Sequence, residues 1–190
     1  MKTKGHHTCL FNGDQESVKK NSPFLAEHKP NEGKVQFLGT GYYFWDNNLE
    51  LAKIWGKSHY GGKYAIIEVD FDLNSDINYD LVGNRSHQID LVERLRILTN
   101  NSDNDKAKKW TLSQFFTFMR KFAINNSDVF PYKMVRAVDL LNHKKNLEVQ
   151  ELIYFTEDKN NYTIINPKIV ICVFDKNALN LQTKKIVFTS

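Results

Sequence analysis

Short runs of β-branched and aromatic residues recur along the chain, and segments rich in Asn and Asp separate them. Such runs predict β-strands, because branched and aromatic side chains pack well on a pleated surface. The segments rich in Asn and Asp mark turns. Strands are predicted around residues 5–8 and over residues 41–45, 64–71, 134–141, 151–156, 168–174 and 185–190.

Apolar residues at helical spacing are confined to a few segments. Residues 47–56 show this spacing, with Asp46 as the predicted N-cap and Gly56 as the predicted end of the helix. Residues 89–98 and 106–124 are also predicted helices, and a weaker amphipathic helix is predicted over residues 15–20. Strands at both ends with helices between them predict an α+β fold. We expect one domain, 1–190, with a helical insertion at about 81–127.

The composition is that of a globular chain. Its 190 residues are 41% hydrophobic and 13% aromatic, which supplies a core and excludes a disordered chain. No apolar run approaches the ~20 residues of a membrane span, and the opening residues lack an apolar stretch of signal-peptide length. We therefore predict a cytoplasmic protein without a membrane partner. The 26 basic and 22 acidic residues leave a net charge of +4, which permits a polyanionic partner without requiring one.

Several familiar ligand motifs are incomplete. Cys9 and Cys172 are too few for a disulfide framework or a four-thiolate zinc site, so both are predicted to be free thiols. Residues 70–81 begin like a calcium-binding loop but lack its essential Gly and Glu. His6 and His7 would point in opposite directions on a strand, which excludes their joint chelation of a metal ion. No metal site is therefore predicted.

Three segments far apart in the sequence carry the remaining chemistry: residues 5–8 (GHHT), 38–56 (LGTGYYFWDNNLELAKIWG) and 150–155 (QELIYF). Together they resemble the ADP-ribosyltransferase superfamily, in its His-Tyr-Glu branch of diphtheria-toxin-like and poly-ADP-ribose-polymerase-like enzymes. That branch has a His and a Ser or Thr on its first strand, a Gly-x-Gly-x-Tyr-Phe segment leading into a helix, and a Glu heading a later hydrophobic strand. The middle segment is the most specific match, at Gly39, Gly41, Tyr43, Phe44, Asp46 and Ala52.

A group of small bacterial proteins in this superfamily is similar in more detail. It pairs a segment like FLGTGYYFW with a following AKIWG, and it has a VRA-like segment and an ICV-like strand, which are residues 135–137 and 171–173 here. The chain departs from the branch at His7, where the branch usually has Gly. The helical block matches no motif of the superfamily.

The resemblance implies a split, mostly antiparallel β-sheet with a cleft that holds NAD. It implies NAD-dependent mono-ADP-ribosylation of a macromolecule, either protein or nucleic acid, with NAD consumed as a substrate. A bacterial enzyme of this kind would act as a toxin or a defence effector, with an antitoxin or immunity protein as a partner. Two alternatives stay open: an NAD glycohydrolase, and a non-catalytic module that binds NAD or ADP-ribose.

The resemblance also assigns roles to single residues. His6 would hydrogen-bond the adenosine-side ribose, and Thr8, two residues on, lies on the same strand face. Tyr43 would stack on nicotinamide, and Gly41 would allow a close backbone approach. Glu151 would accept a hydrogen bond from a ribose hydroxyl and stabilise the oxocarbenium ion of the transition state. His6, Tyr43 and Glu151 are thus the predicted catalytic set.

The carboxylate role has rivals in the sequence. Glu148 and Gln150 lie next to Glu151 and compete for it. The bacterial group suggests another register, in which the polar residue precedes the ICV strand; this chain has Ile169 and Val170 there, and Glu151 is then not catalytic. Arg136, in a predicted half-buried strand, could contact a pyrophosphate or pair with an acid.

Overall fold

The protein is an α+β molecule, as predicted. Its computed structural model describes residues 1–100, 110–139, 151–155 and 162–190. The helices are α1 Gln15–Asn21, α2 Leu49–Tyr60, α3 Arg85–Asn100 and α4 Leu112–Ala123. The strands are β1 Lys2–Leu10, β2 Tyr42–Asp46, β3 Tyr64–Asp72, β4 Asn78–Asp80, β5 Met134–Val138, β6 Glu151–Tyr154, β7 Tyr162–Ile165, β8 Ile169–Val173 and β9 Lys185–Thr189.

Seven of these strands form one sheet in the order β4-β5-β8-β2-β1-β3-β9. Strands β4 and β5 pair in parallel, and every other neighbouring pair in this sheet is antiparallel. Strands β6 and β7 form a separate two-stranded antiparallel sheet. The predicted mostly antiparallel arrangement is therefore what the described strands adopt.

The seven-stranded sheet is buried on both faces near its centre. Strand β3 shows the effect in its sequence, because its run of apolar residues is almost continuous and nearly all of it is buried. One face packs Phe44, Ile67 and Ile171 into a core, and the other packs Val135 and Cys172 against the aromatic residues of α4. Helix α4 begins with a capping box between Thr111 and Gln114, which the sequence analysis did not identify.

Two predicted boundaries of α2 are wrong. Asp46 is the last residue of β2 and is held extended by its pairing with Gly5, so Asn48 caps the helix instead. Gly56 lies inside the helix, which continues to a left-handed cap at Gly61. A Cβ atom at residue 56 would lie 2.4 Å from Cδ2 of Tyr64, so this glycine lets α2 pack directly on β3.

The remaining elements follow the predicted order with shifted ends. Helices α3 and α4 both lie within the predicted helical insertion, and α4 starts later than the predicted residue 106. Residues 106–109 lie outside the described residues. Strands β4 and β7, of three and four residues, were not predicted. Within the described part of the chain, no helix is both long and apolar enough to span a membrane.

Strands β1 and β2 part after a short contact, and this positions the site. Their pairing consists of Gly5 with Asp46 and His6 with Trp45. Strand β1 then continues alongside β3 as far as Leu10, while β2 continues alongside β8. The sheet therefore opens between its central strand, β2, and the neighbouring β1.

Candidate functional site

A cavity of about 1010 Å³ lies where β1 and β2 part. Residues 6–10 of β1 form one side and residues 43–45 of β2 form the other. The loop that precedes β2 and the last turn of α2 complete the walls. Other residues that line the cavity include Asp14, Phe24, Phe37, Trp55, His59, Tyr60, Asp139 and Val170.

His6 is one of two predicted site residues that β1 brings to this cavity. Its side chain is buried, and Nε2 lies 3.3 Å from Oε2 of Glu68 on β3. Burial lowers the pKa of His6, and the hydrogen bond with Glu68 acts in the opposite direction. Since a carboxylate only accepts, Nε2 is the donor in this contact. The second nitrogen, Nδ1, is buried without a hydrogen bond among the described residues.

Glu68 is held as a carboxylate by two lysines. Lys4 Nζ donates to Oε1 at 2.7 Å, and Lys185 Nζ lies 3.0 Å from the same atom. Burial alone would raise the pKa of Glu68, but the hydrogen bonds from Lys4 and Lys185 lower it to about 2. Glu68 therefore fixes which nitrogen of His6 carries the proton. No local pattern in the sequence indicates this partner, because Glu68 lies 62 positions after His6.

Thr8 lies on the His6 face of β1, as the alternation predicted. Its hydroxyl donates to the backbone carbonyl of Ala52 at 2.9 Å. This bond anchors β1 to α2 and engages the hydroxyl proton. Thr8 therefore shapes the cavity wall, and its remaining lone pairs are the polar group that it could offer to a ligand.

Tyr43 lines the cavity from β2. Its hydroxyl donates to the carbonyl of Gly39 at 2.6 Å and accepts from the amide of Leu38 at 3.2 Å. Burial raises the pKa of Tyr43, so the phenol stays protonated. Because the hydroxyl is engaged twice, the ring is the part of Tyr43 that a ligand in the cavity would meet.

The two glycines before β2 have separate structural reasons. Gly39 has φ +86°, in the region that favours glycine. A Cβ atom at Gly41 would lie 2.4 Å from Sγ of Cys172 and 2.9 Å from the carbonyl oxygen of Val173. The positive φ is therefore at Gly39 and the close approach is at Gly41. The approach at Gly41 is to β8, and Gly41 is not among the described residues that line the cavity.

The predicted Glu151 heads strand β6, where it pairs with Ile165 of β7. This hairpin is separate from the seven-stranded sheet. The side chain of Glu151, together with Glu148 and Gln150, lies outside the described residues, so its catalytic role stays a prediction. In the alternative register, the position of the polar residue is occupied by Ile169 and Val170. Val170 pairs with Trp45 and lines the cavity, but its side chain is apolar.

Asp139 is a carboxylate of the cavity that sequence reasoning missed. It follows directly after β5, and its amide donates to the carbonyl of Lys168 at 2.7 Å. The predicted strand 134–141 ran through this position, so Asp139 was not recognised as a residue at a strand end. Among the described residues, Asp14 is the other carboxylate that lines the cavity, and it also caps α1 through Ser17.

Arg136 pairs with acids, one of the two roles that the sequence left open. Its Nε lies 2.7 Å from Asp46, and its Nη1 lies 3.4 Å from Asp80. All three side chains are buried or nearly so. This cluster stabilises the sheet on the face opposite His6.

Aromatic rings form the outer wall of the cavity. The rings of Trp55 and His59 stack with centroids 3.9 Å apart, and Tyr60 meets Trp55 edge-on at 5.5 Å. The cavity thus combines broad apolar rings with a few polar groups, which is the usual character of a small-molecule site.

Cysteine thiols and clusters of metal-ligating side chains are two further features to be placed in the structure. Cys9 and Cys172 are free and buried, as predicted, and burial raises their pKa values to about 11 and about 12. Such thiols are poor nucleophiles at neutral pH. Within the described ranges, no group of three His, Cys, Asp or Glu side chains could hold a metal ion.

Comparisons of the chain with protein-family models, curated proteins and solved structures find no match.

Proposed function

We propose that this protein is an NAD-dependent mono-ADP-ribosyltransferase with the split-sheet fold of that superfamily. One observation carries the proposal: His6, Thr8 and Tyr43 line the same cavity at the point where β1 and β2 part. These residues come from two of the segments that resemble motifs of the superfamily, residues 5–8 and 38–56. Their convergence is what a shared dinucleotide site requires.

The size and walls of the cavity support a dinucleotide ligand. Small-molecule pockets span roughly 300–1,000 Å³, and this cavity of about 1010 Å³ lies at the upper end. The Tyr43 ring and the stacked Trp55 and His59 rings offer flat surfaces for heterocycles. NAD carries two such heterocycles joined by polar riboses and phosphates.

The proposed reaction breaks the bond between nicotinamide and ribose and passes ADP-ribose to a nucleophile. The ribose becomes an oxocarbenium ion in the transition state, so a carboxylate close to it lowers the barrier. Asp139 is the described cavity carboxylate placed at the end of a strand, and Glu151 is the carboxylate expected from the resemblance. Neutral His6, fixed by Glu68, would orient the sugar that is distant from the reacting carbon.

The test is an assay with NAD labelled in its adenylate part and a cell lysate as the source of acceptors. Release of nicotinamide and transfer of label to macromolecules are measured separately. The variants are His6→Gln, Tyr43→Ala, Asp139→Asn and Glu151→Gln. Asp128→Asn is the matched control, because Asp128 is an exposed carboxylate that does not line the cavity.

We expect one of the two carboxylate variants to lose about 100-fold or more in nicotinamide release, while Asp128→Asn keeps the parent rate. Loss in Asp139→Asn alone would transfer the catalytic role from Glu151 to Asp139. Release of nicotinamide without label transfer would make the protein a glycohydrolase, and NAD binding without release would make it a binding module. A parent protein that neither binds nor cleaves NAD refutes the proposal.

A further inference from the structure

His7 lies next to His6 but serves the opposite face of β1. Its side chain is buried, with 7% of the residue exposed, and it also lines the cavity. Its contacts show what the ring does.

Both ring nitrogens of His7 make hydrogen bonds to the backbone. The amide of Phe24 lies 3.2 Å from Nε2, and the carbonyl of Tyr43 lies 2.9 Å from Nδ1. An amide N–H only donates, so Nε2 carries no proton. A carbonyl only accepts, so Nδ1 carries one. The surroundings therefore select a single neutral tautomer, with the proton on Nδ1.

These two bonds cross the opening of the sheet. The backbone pairing of β1 and β2 ends at His6 and Trp45, one residue before His7. The ring of His7 is then the next hydrogen-bonded link between the two strands among the described residues. It also ties down the loop at Phe24, whose ring centroid lies 6.5 Å from that of His7.

Protonation would break this arrangement. A second ring proton would point Nε2–H at the amide N–H of Phe24. Burial lowers the pKa of His7 to about 4, the bond to the Tyr43 carbonyl acts against this, and Lys176 in the turn after β8 lowers the pKa further. The rings of Phe24 and Phe44, and the neutral thiol of Cys9 along the same strand face, add no charge.

We propose that His7 is a positioning residue, a neutral imidazole that holds β2 and the loop at Phe24 at a fixed separation from β1 and so sets the width of the cavity. The identity of the ligand as NAD rests on the proposed function above. The tie, meaning the two hydrogen bonds that join His7 to Tyr43 and Phe24, does not depend on the identity of the ligand, since both partners are backbone groups.

Three variants dissect the tie. His7→Asn keeps a donor near the Nδ1 position, for Tyr43. His7→Gln reaches the Nε2 position and keeps an acceptor for Phe24. His7→Phe keeps a ring of similar size and loses both bonds. His87→Phe is the matched control, because His87 also accepts from a backbone amide, that of Asp80 at 2.9 Å, but does not line the cavity.

The measurements are the tautomer of His7 by long-range ¹H–¹⁵N NMR, hydrogen exchange at the Phe24 amide, and the Kd for NAD by calorimetry. We expect the Nδ1–H tautomer in the parent protein. Exchange at Phe24 should accelerate about tenfold or more in His7→Phe and His7→Asn but stay near the parent rate in His7→Gln. The Kd for NAD should rise about tenfold in His7→Phe, less in the two single-bond variants, and not in His87→Phe.

Two results would overturn the proposal. An Nε2–H tautomer would show that the tie is absent, and an unchanged Kd in His7→Phe with faster exchange at Phe24 would show that the tie does not control the cavity. If the parent protein fails to bind NAD while the tautomer and the Phe24 exchange come out as expected, the proposed function fails and the tie stands.

Discussion

The two ends of the β1–β2 pair differ in how they are held together. At the closed end, around Gly5 and Asp46, backbone pairing, packed rings and buried charges meet. A Cβ atom at Gly5 would lie 2.4 Å from Cε2 of Phe71 and 2.9 Å from Cβ of Phe44. Asp46 accepts from the hydroxyl of Thr3 and pairs with Arg136.

At the open end, from His7 onward, the backbone pairing stops and a cavity begins. The link across it is a side chain, His7, instead of a ladder of amides and carbonyls. The same two strands therefore supply dense packing at one end and ligand space at the other. Changes at the closed end should affect folding first, and changes at the open end should affect binding first.

The largest effect is expected at Arg136. Its replacement by Met would leave the buried carboxylates of Asp46 and Asp80 without their cation, at a cost of about 3–5 kcal/mol in the free energy of unfolding. Chemical denaturation measures this loss. The control is Lys133→Met, because Lys133 and Asp175 are exposed and 4.0 Å apart, so less than about 1 kcal/mol should be lost. Equal losses of stability in the two variants would show that the buried ion pairs of Arg136 do not stabilise the closed end.

A smaller effect on stability is expected when the pH is lowered, through His7 at the open end. The pKa of His7 is about 4 in the folded protein and close to its ordinary value of 6.5 in the unfolded chain, so the unfolded chain binds more protons between these values. The contribution of His7 to the free energy of unfolding is therefore complete above pH 6.5. It is lost as the pH falls towards 4, and the total loss is about 3 kcal/mol.

Chemical denaturation of the parent and of His7→Phe between pH 7 and pH 5 measures the pH-dependent contribution of His7 to the free energy of unfolding. His6 also has a pKa lowered by burial and adds a slope of the same sign, so the difference between the two proteins isolates His7. Identical pH slopes would contradict the assignment of a buried neutral ring to His7.

Next in size is the effect of Gly5→Ala. The added methyl group would meet the Phe71 ring and the Phe44 side chain, and overpacking of this kind costs about 1–3 kcal/mol. Replacing Phe71 by Leu in the same chain should recover part of the loss. If the double variant is as unstable as the sum of the single variants, the contact with Phe71 is not the cause.

The smallest effect is expected for Tyr43→Phe. The change removes the hydroxyl that hydrogen-bonds to Gly39 and Leu38 but keeps the ring at the cavity. The free energy of unfolding should therefore fall by about 1–2 kcal/mol. The Kd for NAD should change less than in Tyr43→Ala, since the ring is the proposed contact. A Phe variant that binds as poorly as the Ala variant would assign the binding role to the hydroxyl.

Local patterns were sufficient to predict most of the elements. The apolar run of β3 and the spacing in α3 gave the correct type of element, and the alternation in β1 put His6 and Thr8 on one face. Strand β4 was not predicted because it consists of Asn78, Tyr79 and Asp80, two polar residues on either side of an aromatic one. They are buried through partners elsewhere in the chain, such as the carbonyl of Leu73 and the guanidinium of Arg136.

The candidate site was predictable only in part for the same reason. His6 and Tyr43, which both line the cavity, could be proposed from the sequence because a motif surrounds each of them. Glu68 and Asp139 have no local signal, and their importance depends on which strands lie beside β3 and β5. Asp46 was misassigned as a helix cap because its partner, Arg136, lies 90 residues away.

The two thiols report on this arrangement. Cys9 lies two residues beyond His7 on the same strand face, and Cys172 lies beneath Gly41 on β8, each almost without exposure. An alkylating reagent at neutral pH can reach the sulfur of Cys172 only when β8 separates from the neighbours that cover it, whereas Cys9 lines the cavity. The alkylation rate of Cys172 would thus report the separation of β2 from β8, and the alkylation rate of Cys9 would report access to the cavity, with no foreign label in the molecule.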